Sequence, residues 1–299
     1  MSQAFNTVSE HPCFGGLVSF HSHRSEVIGG EMSFSVYTPP QAGSDPVPVL
    51  YYLAGLTCTE ETFQIKAGAQ RYAALAGLML VAPDTSPREA NIPGEEEDYD
   101  LGTGASFYLD ATSEPWKGSY RMESYLTGEL RRIILESFPA REEAQGIFGH
   151  SMGGHGALTL ALKHPDLYHS VSAFAPVCNP SNVPWGEKAF GSYLATEEEW
   201  AHHDATELVR ARPFADGRVI LVDQGLDDQF LGVQLSPEAL EEACSGSAQP
   251  LTLRRHEGYD HSYYFISTFM EDHIRHHAEA LGNWATGISK HILTPENYL

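Results

Sequence analysis

The sequence GHSMGGHG, residues 149–156, lies between a short apolar run at residues 146–148 and an apolar segment of helical character at residues 157–162. It contains the pattern G-x-S-x-G, which places a serine on a sharp turn with its hydroxyl at the carboxyl end of a strand. The start of the following helix presents unpaired N–H groups that can stabilise an oxyanion. This setting predicts that Ser151 is a nucleophile; a glycine-rich structural turn is the alternative.

The regions on either side alternate between strand-like and helix-like patterns. This alternation indicates a mostly parallel sheet of about eight strands with helices on both faces. The first two strands, residues 15–22 and 31–37, have no helix between them and are expected to be antiparallel. We expect a strand buried on both faces at residues 47–53, a helix at residues 60–76 and a closing helix at residues 267–281.

Length and composition restrict the classes of protein to which this sequence can belong. The chain has 299 residues and is treated as one domain, 1–299, because no Pro/Ser/Gly linker divides it. The formal net charge of −22 argues against nucleic acid and anionic membranes as partners. No apolar run reaches transmembrane length and the N-terminus does not resemble a signal peptide, so a cytoplasmic location is expected. The four cysteines lack C-x-x-C spacing, which predicts free thiols and no metal site.

A serine hydroxyl needs a base, and on α/β-hydrolase folds the chain order is serine, acid, histidine. His261 follows the last predicted strand, residues 251–256. Asp227 and Asp228 follow the strand before it, at the edge of the sheet where Ser151 would emerge. This joint placement predicts a Ser-His-Asp triad on an α/β-hydrolase fold, with either aspartate as the acid.

Other histidines compete with His261 for the role of base. His150 adjoins the serine but is expected to point away from it along the strand, in a packing role. His273 and His277 have the i,i+4 spacing that metal sites use. No third ligand accompanies them in the sequence, so a solvated helix face is expected.

Two loops are expected to complete the site. After the buried strand, Gly55 allows a turn and the N–H of Leu56 could reach an oxyanion; a simple connection with Thr59 as helix N-cap is the compatible alternative. Residues 84–110 form a long loop whose aromatic residues are expected to pack over the site. Its acidic run, residues 95–98, is expected to be solvated.

With these residues placed, the chain resembles the S-formylglutathione hydrolase (esterase D) family from about Cys13 to Leu281. The segment EGYDHSYYF at residues 257–265 is highly specific. The resemblance implies a cytoplasmic thioesterase without a cofactor, expected to be a homodimer, that hydrolyses S-formylglutathione to glutathione and formate. The other matching segments are residues 13–16, 55–60, 82–88, 110–112, 149–158, 173–176, 184–186 and 227–231.

The resemblance also implies roles for individual residues. It identifies Asp228, not Asp227, as the acid. The C-terminal extension, residues 282–299, has no counterpart in the usual family pattern. The remaining roles are nucleophile for Ser151, base for His261, backbone oxyanion donors for Leu56 and Met152, and positions near the acyl pocket for Cys58 and Trp185.

The implied substrate has a small acyl group and two carboxylates, and each predicts a feature of the site. A formyl group is small, so the acyl pocket is expected to be narrow, with walls from Trp185, Phe230 and the Tyr259 region. Trp185 itself is expected in a loop at residues 180–188.

Glutathione carries two carboxylates, so a protein with a large negative net charge is expected to place positive side chains near the substrate. The basic candidates for this are Lys117, Arg121, Arg88 and Lys188.

Cys58 lies two residues past Leu56 and has two interpretations. It is either a buried thiol that acts as a small apolar residue or a thiol at the active-site entrance.

Two other functions are compatible with the sequence. A general short-chain carboxylesterase would use the same triad on oxygen esters. A non-catalytic binding protein on the hydrolase fold is the alternative from a different class, since a fold alone does not imply a function.

Overall fold

The computed structural model describes residues 5–43 and 45–283. Nine strands of these residues join in one sheet. In chain order they are β1 (Asn6–Cys13), β2 (Gly16–Arg24), β3 (Glu31–Thr38), β4 (Val47–Leu53), β5 (Met79–Pro83), β6 (Ala140–His150), β7 (Ser170–Phe174), β8 (Ile220–Gly225) and β9 (Leu251–His256). Their order across the sheet is β1-β2-β3-β5-β4-β6-β7-β8-β9.

The pairs β1–β2, β2–β3 and β3–β5 are antiparallel, and all other neighbours are parallel. The expected mostly parallel sheet and its antiparallel start are therefore confirmed. Strand β1 is an addition to the predicted elements. It lies at the sheet edge with most side chains exposed, so its sequence carries no apolar period from which a strand could be predicted.

The parallel half of the sheet determines where a site can form. Strands β4, β6, β7, β8 and β9 run in the same direction, so their carboxyl ends share one edge. The loops that follow β4, β6, β8 and β9 meet at this edge, where ligands of open α/β sheets bind.

Helices cover both faces of the sheet. Helix α5 (Met152–Lys163) packs on β4, β6 and β7, whereas α9 (Tyr263–Ala280) packs on β7 and β8. Ser170 and Ser172, alternate residues of β7, both contact α9, so Val171 between them points to the other face. The remaining α-helices of the described residues are α1 (Glu60–Lys66), α2 (Ala69–Ala76), α3 (Met122–Ser124), α4 (Arg131–Ser137), α6 (Pro184–Tyr193), α7 (Ala205–Ala211) and α8 (Pro237–Ser247), with a π-helical segment at Tyr125–Leu130 joining α3 to α4.

The helix predicted at residues 60–76 is two helices. Gly68 separates α1 from α2 with a φ of 66°, in the left-handed region that a right-handed helix cannot continue through. Gly77, with a φ of 65°, ends α2 at the predicted position. Thr59 is the N-cap of α1 as expected, and its side chain accepts the N–H of Glu61 at 3.3 Å.

The loop predicted at residues 180–188 is wrong, because Pro184 begins α6 and Trp185 lies in its first turn. Proline is favoured at the first helical position, since the N–H that it lacks would be unpaired there. A Cβ on Gly186 would lie 2.0 Å from the carbonyl oxygen of Pro180, so glycine allows the helix to touch the preceding turn. Pro184 therefore begins the helix, and Gly186 permits its close contact with the preceding turn.

The solvated helix face predicted at His273 and His277 is also wrong, because both rings are fully buried between α9 and the sheet. Nδ1 of His273 and Nε2 of His277 each lie 2.8 Å from Oγ of Ser172. Burial lowers the pKa of both imidazoles, which keeps them neutral in this internal hydrogen-bond chain. In the described ranges, no group of three or more His, Cys, Asp or Glu side chains could hold a metal ion.

The loop at residues 84–110 packs on the body of the protein. Phe107 and Tyr108 are fully buried, as expected, whereas Tyr99, the third aromatic residue expected to pack there, is exposed. Glu95, which was predicted to be solvated, is buried, and its Oε1 accepts the N–H of Asn91 at 2.8 Å. The other three acidic residues of that run are exposed.

Asn283 holds the chain beyond α9 against the end of α2. Its Nδ2 donates to the carbonyl oxygens of Ala76 at 2.6 Å and Gly77 at 3.1 Å. The rest of the C-terminal extension, residues 284–299, lies outside the described residues. Within the described residues, no helix is both long enough and apolar enough to cross a membrane.

Candidate active site

Ser151 stands on the turn between β6 and α5 with φ 57° and ψ −120°. Residues other than glycine rarely adopt positive φ, and this strained turn is typical of a nucleophile elbow. A Cβ on Gly149 would lie 2.2 Å from the carbonyl oxygen of Gly153, and a Cβ on Gly153 would lie 2.0 Å from that of Leu53. The close packing of β4, β6 and α5 therefore excludes side chains at both glycines of the motif.

The candidate acid and base come from the loops after β8 and β9. Oδ2 of Asp228 lies 2.5 Å from Nδ1 of His261. The same carboxylate accepts the N–H of Phe230 at 2.8 Å through Oδ1 and Nε2 of Gln224 at 3.2 Å through Oδ2. Asp228 is buried, whereas Asp227 is exposed. The structure thus brings Asp228 to His261 and leaves Asp227 in solvent.

The loop after β4 lies against the serine. A Cβ on Gly55 would be 3.3 Å from Cβ of Ser151. Leu56 follows it and lines the cavity at Ser151, while Met152 is the first residue of α5. In the part of the chain that the structure describes, no acceptor takes the N–H of Leu56 or of Met152. Two such donors beside a nucleophile are what an oxyanion hole requires.

Hydrogen bonds from the long loop hold the segment around Leu56 in place. The N–H of Thr57 donates to the carbonyl oxygen of Gly104 at 2.9 Å. The carbonyl oxygen of Cys58 accepts Oγ1 of Thr85 at 2.6 Å and Nη2 of Arg88 at 2.9 Å. Leu56 is therefore flanked by residues whose backbone groups are fixed, which pre-organises its N–H.

Ser151 and His261 line one cavity of about 320 Å³. Trp185 and Phe230 form a wall with ring centroids 4.7 Å apart, and Phe230 is 5.0 Å from the ring of His261. The Tyr259 region was expected to contribute, but its ring packs against Phe269 at 5.0 Å and does not line this cavity.

His150 does not point away from the site as predicted. Its ring lines the cavity, 4.3 Å from the ring of His261 between centroids. Neither of its ring nitrogens has a hydrogen-bond partner among the described residues. Burial, with the neighbouring His261 as a second cause, holds the pKa of His150 well below its usual range. A neutral ring at this position packs against His261 and adds no charge beside it.

The basic residues predicted to offset the substrate carboxylates do not line the cavity. Arg88 pairs with Asp84, Lys117 with Glu114, and Lys188 with Asp98 and Asp100, while Arg121 is exposed outside the cavity. The basic residue that does line it is Lys66, which the sequence prediction missed. The sequence does contain an indication of this position. Lys66 lies one helical turn after Thr62, on the helix that follows Leu56 and Cys58, so the two side chains share one face.

Cys58 lines the same cavity and is half-buried. Burial raises the pKa of its thiol, and the hydrogen bond with Thr62 and the nearby charge of Lys66 offset this only in part. The thiol is therefore mostly protonated and a slow nucleophile at neutral pH. This position matches the interpretation that places Cys58 at the active-site entrance.

We expect N-ethylmaleimide to inactivate the wild-type protein, faster at higher pH because the thiolate is the reacting form. A bulky group on Cys58 would fill the cavity or displace Leu56. Substrate should slow the inactivation, and Cys58→Ser should remain active and resist the reagent. Residual activity against time of exposure measures both effects.

Cys13→Ser is the matched control for this experiment, because Cys13 is half-buried but lies outside the cavity. It should be inactivated at the wild-type rate. Inactivation of Cys58→Ser at that rate would assign the effect to another cysteine.

Comparison with known proteins places this chain among esterases. A family model described as a putative esterase matches residues 25–276. The chain is 52% identical over 281 residues to an S-formylglutathione hydrolase of Mus musculus, covering 93% of this chain and 99% of the relative. It is 50% identical over 283 residues to an S-formylglutathione hydrolase of Paracoccus denitrificans, covering 94% and 100%. The solved structure of an S-formylglutathione hydrolase from Agrobacterium tumefaciens is similar, with a TM-score of 0.90, 49% identity and coverage of 93% and 100%.

Proposed function

This chain belongs to the S-formylglutathione hydrolase family, and from that membership we propose that it hydrolyses S-formylglutathione to glutathione and formate through a formyl-serine intermediate. One observation carries the proposal for the residues involved. Ser151 and His261 line a single cavity, and Asp228 lies 2.5 Å from the far nitrogen of His261. Ser151 is the proposed nucleophile, His261 the base and Asp228 the acid.

The first step forms the formyl-serine. Oγ of Ser151 attacks the formyl carbon while Nε2 of His261 takes the hydroxyl proton. The carbonyl oxygen becomes an oxyanion, which the N–H groups of Leu56 and Met152 receive. The carbon–sulfur bond then breaks, and glutathione leaves as a thiolate that the His261 imidazolium can protonate.

The second step releases formate. Water attacks the formyl-serine carbon, and His261 again accepts the proton. The oxyanion forms at the same two N–H groups, and the bond to Oγ of Ser151 breaks as the serine regains its proton.

Asp228 controls which nitrogen of His261 carries the proton. A carboxylate at Nδ1 accepts the N–H of that nitrogen, so the lone pair resides on Nε2, the atom proposed to act on Ser151. The same charge stabilises the imidazolium that forms during both steps.

We expect kcat/KM to fall along the series S-formyl-, S-acetyl- and S-butyrylglutathione, because Trp185 and Phe230 narrow the acyl side of the cavity. A misplaced methylene is worth roughly 1–3 kcal/mol of discrimination in such a pocket. Trp185→Ala should admit the butyryl group and so reduce the differences in kcat/KM among the three thioesters. Initial rates of thiol release measure kcat/KM for each.

Trp185→Phe is the control, because it keeps an aromatic ring against Phe230 and should retain the wild-type order. A wild-type protein that prefers octanoyl esters, or that cleaves p-nitrophenyl esters but not S-formylglutathione, would replace the thioesterase proposal with a general carboxylesterase.

The resemblance further supports a cytoplasmic homodimer without a cofactor as part of this proposal. The net charge of −22 supports the expectation that neither nucleic acid nor an anionic membrane is a partner.

A further inference from the structure

The charge of the cavity differs from that of the whole protein. The chain carries 40 acidic and 18 basic residues. In the described part of the chain, the residues lining the cavity at Ser151 include no Asp or Glu, and Lys66 is their one Lys or Arg. An exposed ammonium group in a cavity without carboxylates is a local positive site on a strongly negative protein.

Lys66 is also available to a ligand. Its Nζ lies 5.8 Å from the ring centroid of Tyr263, a residue that lines the same cavity. Among the described residues it forms no ion pair with a carboxylate. The basic residues first considered for this role, Arg88, Lys117 and Lys188, are each neutralised by an aspartate or glutamate.

The position of Lys66 follows from the helix that carries it. Thr62 and Lys66 are four residues apart on α1, so they share one face, and both line the cavity. The helix begins just after Leu56 and Cys58, so this face leads outward from the proposed oxyanion hole. One helical turn is about 5.4 Å long. The two carboxylates of glutathione belong to its glycine and its γ-linked glutamate, on either side of the cysteine, roughly one to two residue lengths of 3.3–3.6 Å from it.

We propose that Lys66 binds a carboxylate of the glutathione moiety and thereby selects anionic glutathione thioesters over neutral esters. This inference rests on the proposed function, because that function supplies the dianionic substrate. Lys66 is a binding residue for the leaving group, which remains bound through the first step and departs with it. Its loss should therefore act on KM much more than on kcat.

The test compares Lys66→Gln with the wild type on S-formylglutathione and on p-nitrophenyl acetate. KM for S-formylglutathione should rise about two- to fivefold, the range for an exposed charge pair, while the loss on the neutral ester is much smaller. Lys66→Arg should restore most of the binding. Wild-type KM should also increase with ionic strength more steeply than that of Lys66→Gln.

Arg71→Gln is the matched control for net charge. Arg71 lies on the neighbouring helix α2, has a similar contact with an aromatic ring, at 5.9 Å from the centroid of Tyr72, and does not line the cavity. It should leave KM for S-formylglutathione unchanged. An equal rise in Arg71→Gln and Lys66→Gln would show a general charge effect and overturn the proposal.

Two substrate analogues complete the test, each with one carboxylate of S-formylglutathione converted to an amide. The rise in KM caused by Lys66→Gln should disappear with one of them, and the carboxylate missing from that analogue is the one that Lys66 binds. A penalty that persists with both analogues, or no penalty on S-formylglutathione itself, would overturn the proposal.

Failure of the proposed function gives a different result. In that case the wild type itself would not hydrolyse S-formylglutathione. Binding of glutathione, measured by calorimetry on wild type and Lys66→Gln, would still test Lys66: weaker binding in the variant supports the proposal, and equal binding overturns it.

Discussion

Ser151→Ala is expected to lower kcat on S-formylglutathione by about 10⁶-fold, the scale seen when a triad hydrolase loses its serine. Alanine retains Cβ, so the positive φ of 57° is no more strained than in the wild type, and the fold should be preserved. The oxyanion donors and the cavity remain, but no hydroxyl is left to form the formyl-enzyme. Single-turnover and steady-state rates of thiol release measure the loss.

Ser267→Ala is the control for handling and folding, because the Ser267 hydroxyl donates to the carbonyl oxygen of Tyr264 within α9 and does not line the cavity. It should retain wild-type activity. Retention of a tenth of wild-type activity by pure, folded Ser151→Ala would remove Ser151 from the mechanism.

Asp228→Asn is expected to lower kcat by about 10⁴-fold, as when the acid of another triad becomes an amide. The amide can still accept the N–H of Phe230, so the loop should stay folded. It can, however, turn its NH₂ group toward Nδ1 of His261, which then takes the tautomer with its proton on Nε2. That tautomer cannot accept the proton of Ser151.

Asp227→Asn is the matched control, since it makes the same chemical change one residue away. The Asp227 side chain is exposed, while its backbone N–H donates to the carbonyl oxygen of Tyr259 at 2.9 Å and is unaffected by the substitution. Its kcat should stay within about twofold of the wild type, as for most surface changes. The reverse ranking of the two variants would move the proposed acid to Asp227.

The sequence predicted the parts of the site that depend on local patterns. The glycines at 149 and 153 indicate the turn at Ser151, because only glycine fits where the backbones of β4, β6 and α5 approach closely. The order of strands and loops placed both aspartates and His261 at one edge of the sheet. The choice of Asp228 came from the family resemblance, and the structure adds the physical difference: one carboxylate is buried against His261 and the other is exposed.

Errors occurred where a local pattern has two possible environments. The i,i+4 spacing of His273 and His277 shows that they share a helix face, but it does not reveal that this face meets Ser172 on β7. Proline and glycine at 184 and 186 are equally typical of a loop and of a helix start. His150 was expected to point away from Ser151 because the two are neighbours along the chain, yet its ring contacts that of His261, which lies in the loop after β9.

The chain order of glycines, apolar runs and polar loop residues was sufficient for the hydrolase fold, the antiparallel start of the sheet, the candidates Ser151 and His261, and a choice of two aspartates for the acid. These features depend on backbone sterics and on the period of apolar side chains, which act over a few residues. The burial of His273, the contact of His150 with His261, and the position of Lys66 beside Tyr263 depended on the tertiary structure. They are contacts between segments distant in the chain, and their geometry is set only when the helices pack on the sheet.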